Sequence, residues 1–123
     1  AVAMREQAEA LVALQQAGKT PGWLRKLHGE RGEEVLRAWS SGWLTEAHAR
    51  WNIEGAVAGV RCPLQVVQGE LDEFGTLAQV YAILRKAPQG ERWVVPGSGH
   101  TPHVQAEAEF VDRVAGFIAR HRE

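Results

Sequence analysis

The stretch ERWVVPGSGHTPH, residues 91–103, decides the fold. Glu91 to Val95 is a short run with strand-favouring side chains, and Pro96 and Gly97 stop it. His100 then stands in a glycine-rich turn. An earlier run has the same form: Pro63 leads into Leu64, Gln65, Val66 and Val67, Gly69 bounds it, and the acidic segment GELDEFG, residues 69–75, follows. Both runs predict strands. Between them Leu77, Val80, Tyr81 and Leu84 recur at helical spacing, Thr76 and Gln79 have the form of a capping box, and Arg85, Lys86 and Pro88 mark the end. After the second strand a helix is expected from about Gln105 to Arg120, with Phe110, Val114, Phe117 and Ile118 on one face. Strand, helix, strand, helix is the order of an α/β protein with a parallel sheet. Two parallel strands cannot cover their own faces and edges, so neighbouring strands are expected from a preceding part of the protein or from a second chain.

Residues 1–54 read as helices only, a predicted helical cap segment ahead of the α/β part at 55–123. The first helix runs from about Met4 to Ala17 and stops at Gly18. A second has Thr20 as its N-cap and Pro21 in its first turn, carries Trp23, Leu24 and Leu27, and ends at Gly29. A third, from about Glu33 to Leu44, repeats Val35, Leu36, Trp39 and Trp43 at helical intervals, and Thr45 caps a short fourth with His48 and Trp51.

Composition narrows the classes of function. At 123 residues the chain has the size of one domain, able to bury roughly two-thirds of its unfolded surface. A formal charge of -1 lacks the basic excess that phosphate neutralisation needs, which argues against nucleic acid as a partner. Cys62 is the single cysteine, so no internal disulfide forms and a cytoplasmic setting is expected. No apolar run reaches the ~18 residues of a membrane helix, and AVAMREQAEA has no signal-peptide pattern. The chain opens on Ala1 and runs almost at once into a helix, from which a missing upstream part is expected.

Asp72 follows the first strand and His100 the second. In open α/β sheets the ligand crevice lies beyond the carboxyl ends of the strands, so both side chains are expected at one rim, one strand apart. A carboxylate accepting the Nδ1 proton of a histidine fixes its tautomer and leaves Nε2 free to take a proton. Asp72 read alone is also a common turn or helix-entry residue. Glu70 and Glu73 are nearby acids that could serve instead, but strand alternation favours Asp72.

Here the sequence resembles the α/β-hydrolase fold family. RCPLQVVQGELDEFGT, residues 61–76, is similar to its penultimate strand and acid loop, and WVVPGSGHTPH, residues 93–103, to its last strand and histidine loop. The resemblance covers about residues 53–123, and the helical first part looks like the cap that many members insert ahead of these strands. It implies Asp72 and His100 as the acid and histidine of a Ser-Asp-His triad, an ester or other activated carbonyl compound as small-molecule substrate, and no cofactor. The departure is the nucleophile: there is no G-x-S-x-G and no Gly-rich oxyanion loop. Ser40 and Ser41 fall on a helical stripe, Ser98 lies inside the histidine turn, and Cys62 sits at the wrong end of its strand. The chain is therefore expected to be the C-terminal part of a hydrolase, inactive alone. The competing class is a non-catalytic module that dimerises through its sheet edge or cap helices.

Four further residues are candidate substrate contacts. Trp39 and Trp43 are either core packing or the wall of an apolar cavity, and Phe74, just beyond the acid, is a possible pocket wall. His103 follows His100 at a spacing that invites a metal reading with Asp72, but no other ligand cluster backs it, and no metal is assigned. His103 is read instead as starting the last helix or lining the pocket.

Overall fold

In the computed structural model the chain is described over residues 2–122; Ala1 and Glu123, the outermost residues of the two expected segments, lie outside the described residues. The chain divides into two compact units, Ala1–Trp51 and Asn52–Glu123.

The first unit is helical: α1 (Val2–Gln16), α2 (Gly22–His28), α3 (Gly32–Trp43) and α4 (Glu46–Ala49), with a 3-10 turn at Gly29–Arg31. α3 packs against both α1 and α2. Ala8, Leu24 and Leu36 are buried, while Trp23, Leu27 and Trp51 are exposed. Thr45 caps α4 as expected, its hydroxyl accepting the His48 N–H at 3.2 Å. Thr20 does not cap α2. That helix starts after Pro21 with no side-chain cap, and the Thr20 hydroxyl donates to Glu33 Oε1 at 3.3 Å instead.

The second unit runs α5 (Glu54–Val57), β1 (Gln65–Gly69), α6 (Ala78–Lys86), β2 (Glu91–Val95), α7 (Pro102–Gln105) and α8 (Glu107–Arg120). The strands pair in parallel, with Gln65 opposite Glu91 and Gly69 opposite Val95. Side chains alternate across the sheet, and this places α6 and α8 on opposite faces. The Arg92 guanidinium lies 5.4 Å from the centre of the Tyr81 ring of α6, whereas its neighbour Trp93 sets its ring 5.9 Å from Phe110 of α8. Val80, Trp93 and Val95 form the buried centre. The molecule is mixed α/β and mostly helical, around a two-stranded parallel sheet.

Three further local expectations, all in the second unit, are corrected. The Thr76–Gln79 capping box does not form, because α6 starts one residue later than that box requires, with Leu77 at the N-cap position, and Thr76 contributes only its carbonyl, which accepts the Gln79 N–H at 3.0 Å. The last helix is not continuous from Gln105: Ala106, at φ -131° and ψ 45°, separates α7 from α8. Ile118 does not share the inner face of α8; it is exposed, while Phe110, Val114 and Phe117 are half-buried.

Candidate active site

The acid and histidine loops are drawn together by their own backbone. The ladder continues past β1 through Glu70 N–H to the Val95 carbonyl at 2.9 Å, and Leu71 N–H then donates to the Ser98 carbonyl at 2.8 Å. A side chain at Gly69 has no room, since a Cβ there would overlap the carbonyl oxygens of Ser98 and Gly99. The Pro96–Gly97 turn needs glycine for a different reason: Gly97 has a φ of 65°. Its N–H donates to Glu70 Oε2 at 2.9 Å, so Glu70 closes the turn and does not reach the histidine.

These loops bring the two predicted residues into contact. His100 Nδ1 lies 3.0 Å from Asp72 Oδ1. A carboxylate oxygen only accepts, so Nδ1 is the donor, and in the neutral ring this leaves the lone pair on Nε2. The same Oδ1 accepts the Phe74 and Gly75 N–H groups at 2.8 and 3.1 Å, and Oδ2 accepts from Gln68 Nε2 at 3.2 Å. Asp72 is thus the turn-forming residue and the histidine partner at once. Its side chain is 9% exposed and that of His100 54%, so the acid is screened while the imidazole meets solvent.

The histidine loop has a second support. Gln105 Oε1 accepts from the Ser98 hydroxyl and from Gly99 N–H, both at 2.7 Å. Gln105 and Gln68 were not singled out by sequence reasoning, since a lone glutamine carries no signal without its partners.

Of the four candidate substrate contacts, Phe74 lies in the site, its ring 4.7 Å from that of His100. His103 stands in α7 and meets the Phe110 ring edge-on at 6.0 Å. Trp39 and Trp43 belong to the helical unit, where their rings lie 6.3 Å apart and Trp43 also faces His48 at 5.1 Å. Among the described residues no group of three or more His, Cys, Asp or Glu side chains is placed to hold a metal ion. The serines are engaged: Ser40 donates to the Leu36 carbonyl at 2.7 Å, Ser41 to that of Ala38 at 3.0 Å, and Ser98 to Gln105.

A cleft of about 350 Å³ lies at the amino ends of the strands, between Gln65, Glu91, Trp93, Asp112, Arg113 and Arg120. Within it Arg120 pairs with Glu91 at 2.8 Å, while Arg113 reaches out of the cleft to Glu109 at 3.1 Å. The Asp72–His100 pair, at the opposite ends of the same strands, is the better candidate because a buried acid fixes an accessible base there. No helix among the described residues is long and apolar enough to cross a membrane. No known family, curated protein or solved structure matches the chain.

Proposed function

We propose that this chain carries the acid and histidine half of an α/β-hydrolase active site, acting on an ester or another activated carbonyl compound. The observation that carries the reading is the 3.0 Å contact of His100 Nδ1 with Asp72 Oδ1, made from loops that follow adjacent parallel strands. In this reading Asp72 orients the ring and stabilises its cation, and His100 Nε2 takes the proton of a serine as that serine attacks the carbonyl carbon. The imidazolium then returns the proton to the leaving group. The serine and the oxyanion donors come from outside residues 1–123, on strands that would pair with the outer edge of β1, and Phe74 walls the substrate beside the histidine. Without them turnover is negligible.

The test joins this chain to the segment encoded directly upstream of it. The joined protein should hydrolyse a nitrophenyl ester, take a fluorophosphonate label at a serine outside residues 1–123, and lose about ten-thousand-fold in kcat on His100→Ala. An upstream frame with no G-x-S-x-G serine, or a phosphonate label on the present chain alone, overturns the reading.

A second reading is a non-catalytic module that self-associates by strand addition. It is favoured by one specific observation: among the described residues the sheet has two strands, so each has an outer edge with no strand beside it.

A further inference from the structure

We propose that Gln68 is a positioning residue for the acid and histidine, its side-chain amide holding the Asp72 carboxylate in the orientation that presents Oδ1 to His100. The role rests on the hydrolase reading for its purpose, while the geometry behind it does not.

Gln68 is an amide buried at the end of β1, after two valines, and only 9% of it is exposed. Burying such a group is costly unless its hydrogens are used. Both are: Nε2 donates to Asp72 Oδ2 at 3.2 Å and to the Gly75 carbonyl at 2.5 Å. Because both partners only accept, the nitrogen and not the oxygen of the amide faces the loop.

The two carboxylate oxygens are held unequally. Oδ1 takes three N–H donors, from Phe74, Gly75 and His100, whereas Gln68 is the donor placed on Oδ2. The last torsion of an aspartate is broad and roughly two-fold, and with the Asx turn and His100 all on Oδ1, a donor on Oδ2 narrows the swing that remains. Gln68 supplies that donor. It also grips Gly75, whose own N–H donates to Oδ1, so one amide fixes the carboxylate and the turn that feeds it. Removing it widens the swing of Oδ1 about its line with Nδ1–H and weakens the imidazole's preference for keeping the proton on that nitrogen.

The experiment reads the tautomer of His100 by ¹⁵N NMR of the ring at a pH where it is neutral. Gln68→Met keeps length and removes the donor. The Nδ1–H to Nε2–H ratio should fall about fivefold from the unsubstituted protein, the size of effect one modest hydrogen bond carries, with backbone amide dispersion unchanged. Asp72→Ala marks full loss of the preference. A folded Gln68→Met protein with an unchanged ratio overturns the proposal, since a merely structural glutamine would leave the tautomer alone. If Gln68→Met does not fold, the unsubstituted protein decides. Its Gln68 side-chain amide protons should exchange with solvent at least about tenfold more slowly than those of a free glutamine, and exchange at the free rate overturns the proposal. Neither readout needs turnover, so failure of the phosphonate test bears on the hydrolase reading and failure here bears on Gln68.

Discussion

At the scale of single residues, the site depends on how closely two loops approach, and Gly69 sets that distance. A methyl group there would overlap the Ser98 and Gly99 carbonyls, which are backbone and cannot swing aside as a side chain could. Gly69→Ala must therefore push the histidine loop away from the acid loop, at the expense of the Leu71 N–H bond to Ser98 and the Asp72–His100 contact. The expected loss is about 2–3 kcal/mol of stability, typical of forced overpacking, read as a lower urea midpoint. The Nδ1–H signal of His100 should weaken in the same variant. A wild-type midpoint with an intact signal would mean that the loops are not held as tightly as the hydrogen bonds imply. Asp72 shows how an ordinary turn preference and a chemical role can share one side chain: the Asx turn onto Phe74 and Gly75 holds the carboxylate where the histidine arrives.

At the scale of elements, legibility followed the range of the interaction. β1 and β2 were readable because their β-prone residues are bounded by Gly and Pro, which are local signals, and the dyad was readable because strand order fixes which loops share a rim. The break at Ala106 was not. Nothing in QAEAEF opposes helix formation; the chain leaves the helix where the Gln105 side chain turns back to take the Ser98 hydroxyl and Gly99 N–H, partners defined only once β2 is in place. The capping box at Thr76 failed for a similar reason, since the residues before α6 are committed to the Asp72 turn and the Gln68 amide. The same contacts predict the consequence of Gln105→Leu. The buried Ser98 hydroxyl and the Gly99 N–H lose their acceptor together, so the unfolding free energy from a urea titration should drop by about 1–3 kcal/mol, while the helix content by circular dichroism stays near its original value because α8 begins after the break. An unchanged free energy would show that these groups find other partners.

At the scale of the whole molecule, the open sheet is the dominant unbalanced feature. Glu91 N–H reaches the Leu64 carbonyl and Glu70 N–H the Val95 carbonyl, so even-numbered residues of β1 direct their backbone groups toward β2. By alternation Val67 directs its N–H and C=O away from β2, to the edge that no strand covers among the described residues. That edge is a template for another strand, whether from the nucleophile-bearing part that the proposed hydrolase reading requires or from a second copy of the chain. For the isolated chain the expected outcome is concentration-dependent association, visible as a rising mean mass in light scattering. Val67→Pro removes an outward donor and leaves the ladder to β2, whose β1 groups belong to the even-numbered residues, so proline is tolerated as on an edge strand. It should raise the dissociation constant of the assembly about tenfold, the equivalent of one lost hydrogen bond. A chain that remains a monodisperse monomer at millimolar concentration would remove strand addition between copies as an explanation for the exposed edge. An association that Val67→Pro leaves untouched would place the contact elsewhere, for instance on the outer face of α8, where Val111 and Ile118 are exposed.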